Sequence, residues 1–311
     1  LQTFNHINDY HADQGSVVTI GTFDGVHQGH QKILDRVVYR AQQENLTSVL
    51  LTFFPHPRMV LQPEHDLKLI NTIDERVDLV ASRGVENIII HPFSKDFSRT
   101  TASEYVEEIL VKKLKAKVVI IGYDHRFGRN RSASIVQLRE YAQELDFEII
   151  EISKKEVEEV AVSSTKVRVA LIEGDIKAAN DYLDREFCIH GTVVTGRKIG
   201  RTLGYPTANL HVDEAYKIIP RAGVYITTAI IDGVKYYGMT NVGINPTVTD
   251  IRKQTIETYF LELDQDLYGK QIGLNFCDRL RDEVKFDSLN DLVVAMQNDE
   301  VKARSYARQM G

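Results

Sequence analysis

The sequence predicts two domains: an N-terminal α/β doubly wound parallel sheet over residues 1–184, and a small C-terminal antiparallel β-barrel with a C-terminal helix over residues 185–311. Three observations predict this. At 311 residues the chain is longer than one typical domain. In its first half, apolar β-like runs alternate with stretches of helical periodicity, the pattern of a parallel sheet covered by helices on both faces. From Phe187 onward glycines become frequent and short β runs take over, and no long helical pattern returns until Ser288.

Taken in order, strands are predicted at residues 17–20, 48–54, 87–91, 117–121 and 148–152, with helices near 31–43, 74–82, 103–114 and 134–144. The run Val118-Val119-Ile120-Ile121 is apolar throughout, as a strand buried on both faces must be. The third helix opens on a capping box, with Thr101 as cap and Glu104 three residues on. Two short helices at 172–175 and 178–183 precede the domain junction, placed at 184–186 by the change of texture. Beyond it, Ile230-Ile231-Asp232-Gly233-Val234-Lys235 signals a hairpin, because Asp-Gly suits a two-residue turn with positive φ. Strands at 256–263 and 272–276 are joined through Gly269, and several short strands with glycine-bearing turns imply a small barrel. A helix over 288–299 closes it, with Leu289, Leu292, Val293 and Met296 as the apolar stripe.

The stretch that carries most chemistry is Gly21-Thr22-Phe23-Asp24-Gly25-Val26-His27-Gln28-Gly29-His30, which lies where the first predicted strand hands over to the first helix. In an open α/β sheet that is the carboxyl end of a strand, the usual place for a ligand crevice. A helix start supplies unpaired N–H groups and a positive dipole end, and both favour phosphate. Gly21, Gly25 and Gly29 let the backbone approach a ligand, and His27 and His30 are spaced to face one anion. A lone histidine near a helix start is more often a cap, but two histidines, an aspartate and three glycines together point to an anion or nucleotide site. A zinc site from Asp24, His27, His30 and His56 is the rival reading, and it lacks the cysteine partners and ligand spacings usual for zinc.

Other strand ends carry polar clusters. Pro55-His56-Pro57 stops the second strand and holds an imidazole in a rigid turn. Gly122-Tyr123-Asp124-His125-Arg126-Phe127-Gly128-Arg129-Asn130-Arg131 sets three arginines against an acidic average, as a phosphate-facing patch or as solvated loop charge. Ser163-Ser164-Thr165-Lys166-Val167-Arg168 puts hydroxyls at a helix start, where they cap the helix or bind phosphate. In the second half, glycines mixed with Arg197, Lys198 and Arg201 could fold over a triphosphate, although barrel corners need glycine too.

Bulk properties exclude several classes. A net charge of −6 argues against a general nucleic-acid binder. The two cysteines, Cys188 and Cys277, give neither a metal spacing nor a disulfide framework. No apolar run approaches the roughly 20 residues a membrane span needs. With no signal-like stretch before the first strand, a cytoplasmic protein with no membrane partner is expected.

The motifs bear a specific resemblance. The stretch from Gly21 to His30 resembles the HxGH signature of the nucleotidylyltransferase superfamily. That signature alone does not separate its branches or the class I aminoacyl-tRNA synthetases. The rest of the chain resembles bacterial bifunctional riboflavin kinase/FAD synthetase. Thr52-Phe53-Phe54-Pro55-His56-Pro57 is similar to that family's TFxPHP segment. Residues 122–128 are similar to its GxDFRFG segment, with His125 where an aromatic is common, and Ser163-Ser164-Thr165-Lys166-Val167-Arg168 to its SSTxIR segment. In the second half, Pro206-Thr207-Ala208-Asn209 resembles the PTAN signature of riboflavin kinase, preceded by Tyr205 in place of the commoner Phe. The segment Asn241-Val242-Gly243-Ile244-Asn245-Pro246-Thr247 resembles its nucleotide-side loop, and Glu257 its catalytic glutamate.

The resemblance implies FMN formation from riboflavin and ATP in the C-terminal domain, and FAD plus pyrophosphate from FMN and ATP in the N-terminal one. It also implies roles. His27, His30 and Glu257 would be catalytic. Gly21, Phe23, Asp24, Gly25, Gly29, His56, Ser164, Thr165 and Arg168 would bind ATP or phosphate in the first domain, with Pro57, Asp124, Arg126 and Phe127 on the flavin or phosphate side. Gly196, Gly200, Arg201, Gly204, Pro206 and Asn241 would bind ATP in the second. Thr207 and Asn209 offer oxygen ligands for Mg²⁺, a hard cation. Two alternatives stand beside this reading. One is a different adenylyltransferase, acting on pantetheine phosphate or nicotinamide nucleotide, fused to a nucleotide-binding barrel. The other is a non-catalytic flavin sensor, against which the set of Thr207, Asn209 and Glu257 argues for an enzyme.

Overall fold

The computed structural model describes residues 1–122, 126–129, 133–153, 162–196, 200, 203–246 and 252–310. Asp124 and Arg201, with His125, Arg197, Lys198 and Thr247, lie outside the described residues. The chain divides into two compact units, Leu1–Ser164 and Thr165–Gly311.

The first unit grows from strand β2 (Ser16–Ile20), every residue of which is buried. Around it lie β1 (Gln2–Phe4), β3 (Thr47–Phe53), β4 (Asn87–His91), β5 (Ala116–Gly122) and β6 (Glu148–Ile152), all parallel, in the order β1-β4-β3-β2-β5-β6. Strand order reverses at β2, which pairs with β3 on one side and β5 on the other, and a crevice opens at such a switch point. Alternate residues feed opposite cores. Val18, Ile20, Val49 and Leu51 join one cluster with Ile89, Val106, Leu110, Val119 and Leu138. Val17, Val118 and Ile120 face the other way with Val37, and Leu50 and Ile88 pack with Leu34 and Val80. Helices α1 (Gln28–Glu44), α3 (Ile73–Ala81) and α5 (Ile135–Leu145) lie where the periodicity predicts, and a short α2 (Pro57–Leu61) follows the prolines. The Thr101–Glu104 capping box is present and opens α4 (Ala102–Glu104), which runs on as π-helical turns over Tyr105–Lys113.

In the second unit, α6 (Ser164–Glu173) and α7 (Ile176–Leu183) are the helices before the barrel. The expected short helix at 172–175 is instead the end of α6, since Gly174, at φ 81°, breaks the chain there. Asn180 ties α7 to the barrel, donating to the Phe276 carbonyl at 2.8 Å and accepting from the Phe187 amide at 2.7 Å. The barrel strands are β7 (Phe187–Val194), β8 (Ala208–His211), β9 (Gly223–Ile231), β10 (Val234–Pro246), β11 (Arg252–Phe260) and β12 (Gln271–Asp282). They close in the order β10-β11-β8-β7-β12-β9, with every pair antiparallel, so no edge is left open. The β9–β10 hairpin turns through Asp232 and Gly233 with φ of 50° and 83°, as the dipeptide predicts.

Helix α8 (Leu289–Met310) runs well beyond the expected 288–299, and Leu289, assigned to its apolar stripe, is 64% exposed. Met296 of that stripe does pack on the barrel, with Ala303 and Tyr306 beyond the expected end. Asp299, the last residue of the expected helix, is buried against Arg281 at 2.9 Å.

His91, at the end of β4, is buried edge-on between His6 and Phe97, with ring centroids 4.6 Å away in each case, and accepts from the Ile7 amide. Burial, with a smaller contribution from His6, lowers its pKa to about 4. A folded-state pKa below the unfolded value means that the unfolded chain binds the proton first as pH falls. Stability of this unit is therefore expected to decline between about pH 6.5 and 4. Thermal unfolding across that window checks this, and His91→Gln should decline less steeply than the parent chain.

Candidate active sites

The crevice at the carboxyl end of β2 is shaped by the loop leading to α1. Phe23, Gly25 and Val26 have φ of 47°, 90° and 40°. Such angles are costly for Phe and Val and persist only when the surroundings enforce them. Burial supplies part of that enforcement, since Phe23 and Val26 sit in the apolar cluster with Leu34 and Ile88. Asp24 supplies the rest. Its carboxylate accepts from the Ile70 amide at 3.0 Å and the Asn71 amide at 3.2 Å, with the Arg76 guanidinium 3.9 Å away. Its carbonyl accepts from the Ser164 hydroxyl at 2.8 Å. Asp24, which the resemblance implies is an ATP-binding residue, is buried here, and its carboxylate braces the loop from behind.

His27 is the N-cap of α1, its Nδ1 accepting from the His30 amide at 3.4 Å. Its ring stacks on that of His30, with centroids 3.7 Å apart and planes at 17°, and His30 in turn meets Phe23 at 4.7 Å. The two histidines expected to face one anion thus form one stacked unit at a helix start. Gly29 lies under it: a Cβ there would come within 3.3 Å of the His27 ring. Gly21 lies similarly close to the Phe23 ring. His56 caps α2, accepting from the Arg58 amide at 3.1 Å, and Pro57 is the first residue of that helix. Thr52 on β3 donates to the Thr22 carbonyl at 3.3 Å, tying that strand end to the loop.

Farther along the strand ends, Phe127 is buried and bridged to Ala133, while Arg126 is exposed. The Phe127 ring lies 5.8 Å from Tyr105, which begins an aromatic series through Phe97 to Phe53 and Phe93. Sequence reasoning missed Phe93 and Phe97. They follow β4 outside any motif, and no local pattern marks them. Thr165 and Arg168 follow Ser164 on α6 and belong to the second unit.

In the barrel, register does the assembling. Glu257 on β11 stands opposite Asn209 on β8 and Asn241 on β10, so three polar residues form one row on one face. That face is the outer one. The next residue, Thr258, turns inward, where the buried hydroxyls of Thr227, Thr240 and Thr258 are linked at 2.7 Å each. Thr207 donates to Glu257 Oε2 at 3.4 Å. The glycine-rich stretch presses on this row: a Cβ on Gly196 would lie 2.3 Å from the Asn209 amide, and one on Gly200 only 2.2 Å from the Tyr205 carbonyl. Gly204 lies just ahead of Tyr205 at φ 84°.

The Tyr205 ring meets Tyr259 edge-on at 5.0 Å, and its hydroxyl donates to Glu300 on α8 at 3.1 Å. Burial, then Glu300, pushes the phenol up to about 12, so it remains a donor. Beside Thr207 opens a cleft of about 450 Å³, lined by Val193, Pro206, Thr207, Phe260 and residues 263–268. The last segment was not anticipated, since it reads only as a turn. Among the described residues no group of three or more His, Cys, Asp or Glu is gathered for a metal ion, so the zinc reading finds no ligand set. Thr207, Asn209 and Glu257 instead offer hydroxyl, amide and carboxylate oxygens together, the donor chemistry of a hard cation.

Comparison with known proteins bears on both units. Residues 9–166 match the family model for FAD synthetase, and residues 183–307 match that for riboflavin kinase. A bifunctional riboflavin kinase/FMN adenylyltransferase of Listeria monocytogenes is 32% identical over 96% of this chain and 94% of its own length. One of Escherichia coli K12 is 33% identical over 94% of this chain and 93% of its own. A crystal structure from Streptococcus pneumoniae, described as a macrolide-efflux protein, is similar with a TM-score of 0.89 at 33% identity, over 97% of this chain and 98% of that one. Among the described residues, no helix is long and apolar enough to cross a membrane.

The loop geometry makes one strong demand. Gly25 combines φ 90° with a position where a Cβ would lie 2.8 Å from Ile70 Cδ1. Gly25→Ala is expected to lower the unfolding free energy of the first unit by about 1–3 kcal/mol, measured by denaturant titration.

Proposed function

The chain belongs to the bifunctional riboflavin kinase/FMN adenylyltransferase family, and from that premise we propose how each unit works and with which residues. The enzyme is a transferase with riboflavin, FMN and FAD as substrates and products. Its second unit transfers the γ-phosphoryl of ATP to riboflavin. Its first unit joins the AMP moiety of a second ATP to FMN and releases pyrophosphate. We place this work in the cytoplasm, where ATP is at hand, with small molecules as its partners. The name given to the Streptococcus pneumoniae protein describes transport, whereas both halves of this chain match flavin-nucleotide enzymes.

One observation supports the first reaction above others: the stacked His27–His30 pair at the start of α1, at the switch point of the sheet. The phosphate of FMN attacks the α-phosphorus of ATP and is already ionised, so no general base is needed. Catalysis rests on alignment and on stabilising charge as it develops on the phosphates. His27, His30 and the amides at the helix start donate hydrogen bonds there. Gly21, Gly25 and Gly29 bring backbone close, and Phe23, His56, Ser164, Thr165 and Arg168 complete the phosphate side. Pro57, Asp124, Arg126 and Phe127 form the flavin or phosphate side, and the aromatic series through Phe97 and Phe93 extends that wall.

In the barrel, Glu257 accepts the proton of the ribityl hydroxyl as it attacks the γ-phosphorus, an effect worth about 10²–10⁴ in rate. Thr207 and Asn209 would hold Mg²⁺, which, when bound, neutralises charge on the transferring group. The nucleoside of ATP occupies the cleft beside Thr207, since that residue both lines the cleft and donates to Glu257. Gly196, Gly200, Arg201, Gly204, Pro206 and Asn241 position its phosphates.

Two substitutions separate the activities. His30→Ala should abolish FAD formation from FMN while FMN formation from riboflavin continues. Glu257→Gln should slow phosphorylation by about 10²–10⁴ while FAD synthesis from supplied FMN is spared. Product chromatography reads both, and loss of both activities in either folded variant contradicts separate sites.

A further inference from the structure

The turn over residues 23–26 is braced by a charge that reaches no solvent. Arg76 and Asp24 each have side chains only 1% exposed, 3.9 Å apart. Burying a guanidinium and a carboxylate costs several kcal/mol, and apolar residues of the same volume are often as stable or more so. The pair is therefore weak as a source of stability and strong as a source of geometry. The positions of its members support this. Arg76 follows directly on the capping box of α3, in which Thr72 and Glu75 hold each other's amides at 2.9 and 3.1 Å. The Asn71 side chain donates to Glu75 at 3.4 Å, and the Arg76 amide donates to the Thr72 carbonyl at 3.0 Å. The first turn of α3 is thus a fixed post. From it the Ile70 and Asn71 amides and the Arg76 guanidinium converge on one carboxylate. That carboxylate belongs to the middle of a turn whose φ angles are positive at Phe23, Gly25 and Val26, one residue ahead of His27.

We propose that Arg76 is a positioning residue for adenylyl transfer: buried against Asp24, it sets the turn that presents His27, His30 and the start of α1 to the phosphates, without itself reaching them. This rests on the adenylyltransferase reading of the first unit. Misplacing such groups by about 1 Å costs on the order of 10²-fold in rate. The effect falls on kcat, because the histidines matter most to charge that develops in the transition state.

The test measures FAD formation from FMN and ATP in the full chain, with FMN formation from riboflavin as an internal control. Arg76→Met should lower kcat for FAD formation by about 10–100-fold, leave KM for FMN and ATP within about threefold, and leave the kinase unchanged. Arg76→Lys, which keeps the charge, should recover most of the loss. Removing one member of a buried pair can unfold a protein, so the double variant Asp24→Asn/Arg76→Met, which removes both charges of the pair, decides the case. It should unfold at close to the parent temperature and still turn over slowly. A double variant that is stable and makes FAD at the parent kcat overturns the proposal, as does a folded Arg76→Met chain with unchanged kcat. A parent chain that makes no FAD at all overturns the adenylyltransferase reading itself and takes this proposal with it.

Discussion

One carboxylate without access to water governs the geometry of the first unit's site. Buried backbone amides must find acceptors, and those of Ile70 and Asn71 find theirs in Asp24. The same residue lies in the turn that carries the chain from β2 to α1, and its carbonyl receives the Ser164 hydroxyl. The loop, the approach to α3 and Ser164 therefore meet at Asp24. Left-handed angles at Phe23 and Val26 would relax without such enforcement, and with them the cap that His27 makes on α1. The conformation of the turn and the placement of His27 and His30 thus depend on the buried layer behind them.

In the second unit the equivalent constraint is register. Closing six antiparallel strands leaves each residue facing either the interior or the outside. A slip of one residue on β11 would send Glu257 inward among the linked threonines and turn Thr258 out. The correct register instead sets Glu257 between Asn209 and Asn241, with Thr207 close by. Two residues farther along the same face, Tyr259 packs with Tyr205 beneath α8, so that end of the face is covered.

Much of this was legible in the sequence where local chemistry and tertiary structure agree. The five apolar strands, the Thr101–Glu104 box and the Asp232-Gly233 turn each depend on a few adjacent residues and appear where the sequence predicts them. What was not legible depends on distant partners. β1 has three residues and no apolar run, and it exists because β4 offers an edge. Asp299 is buried inside α8 opposite Arg281 on β12, a partner that the sequence around it does not announce. Motif position says nothing about burial, and the contacts of Asp24 with Ile70, Asn71 and Arg76 show only in the fold. The cleft over residues 263–268 and the rings of Phe93 and Phe97 likewise carry no local pattern.

The central claim is that one chain takes opposite ends from two ATP molecules. Position-labelled ATP tests it most directly: riboflavin and magnesium are supplied with ATP labelled at either the γ- or the α-phosphorus, and the flavins are separated over time. The account predicts that γ-label enters FMN first and persists in FAD, while α-label appears in FAD alone. Flavin products that never acquire α-label, or that acquire no γ-label, would contradict it.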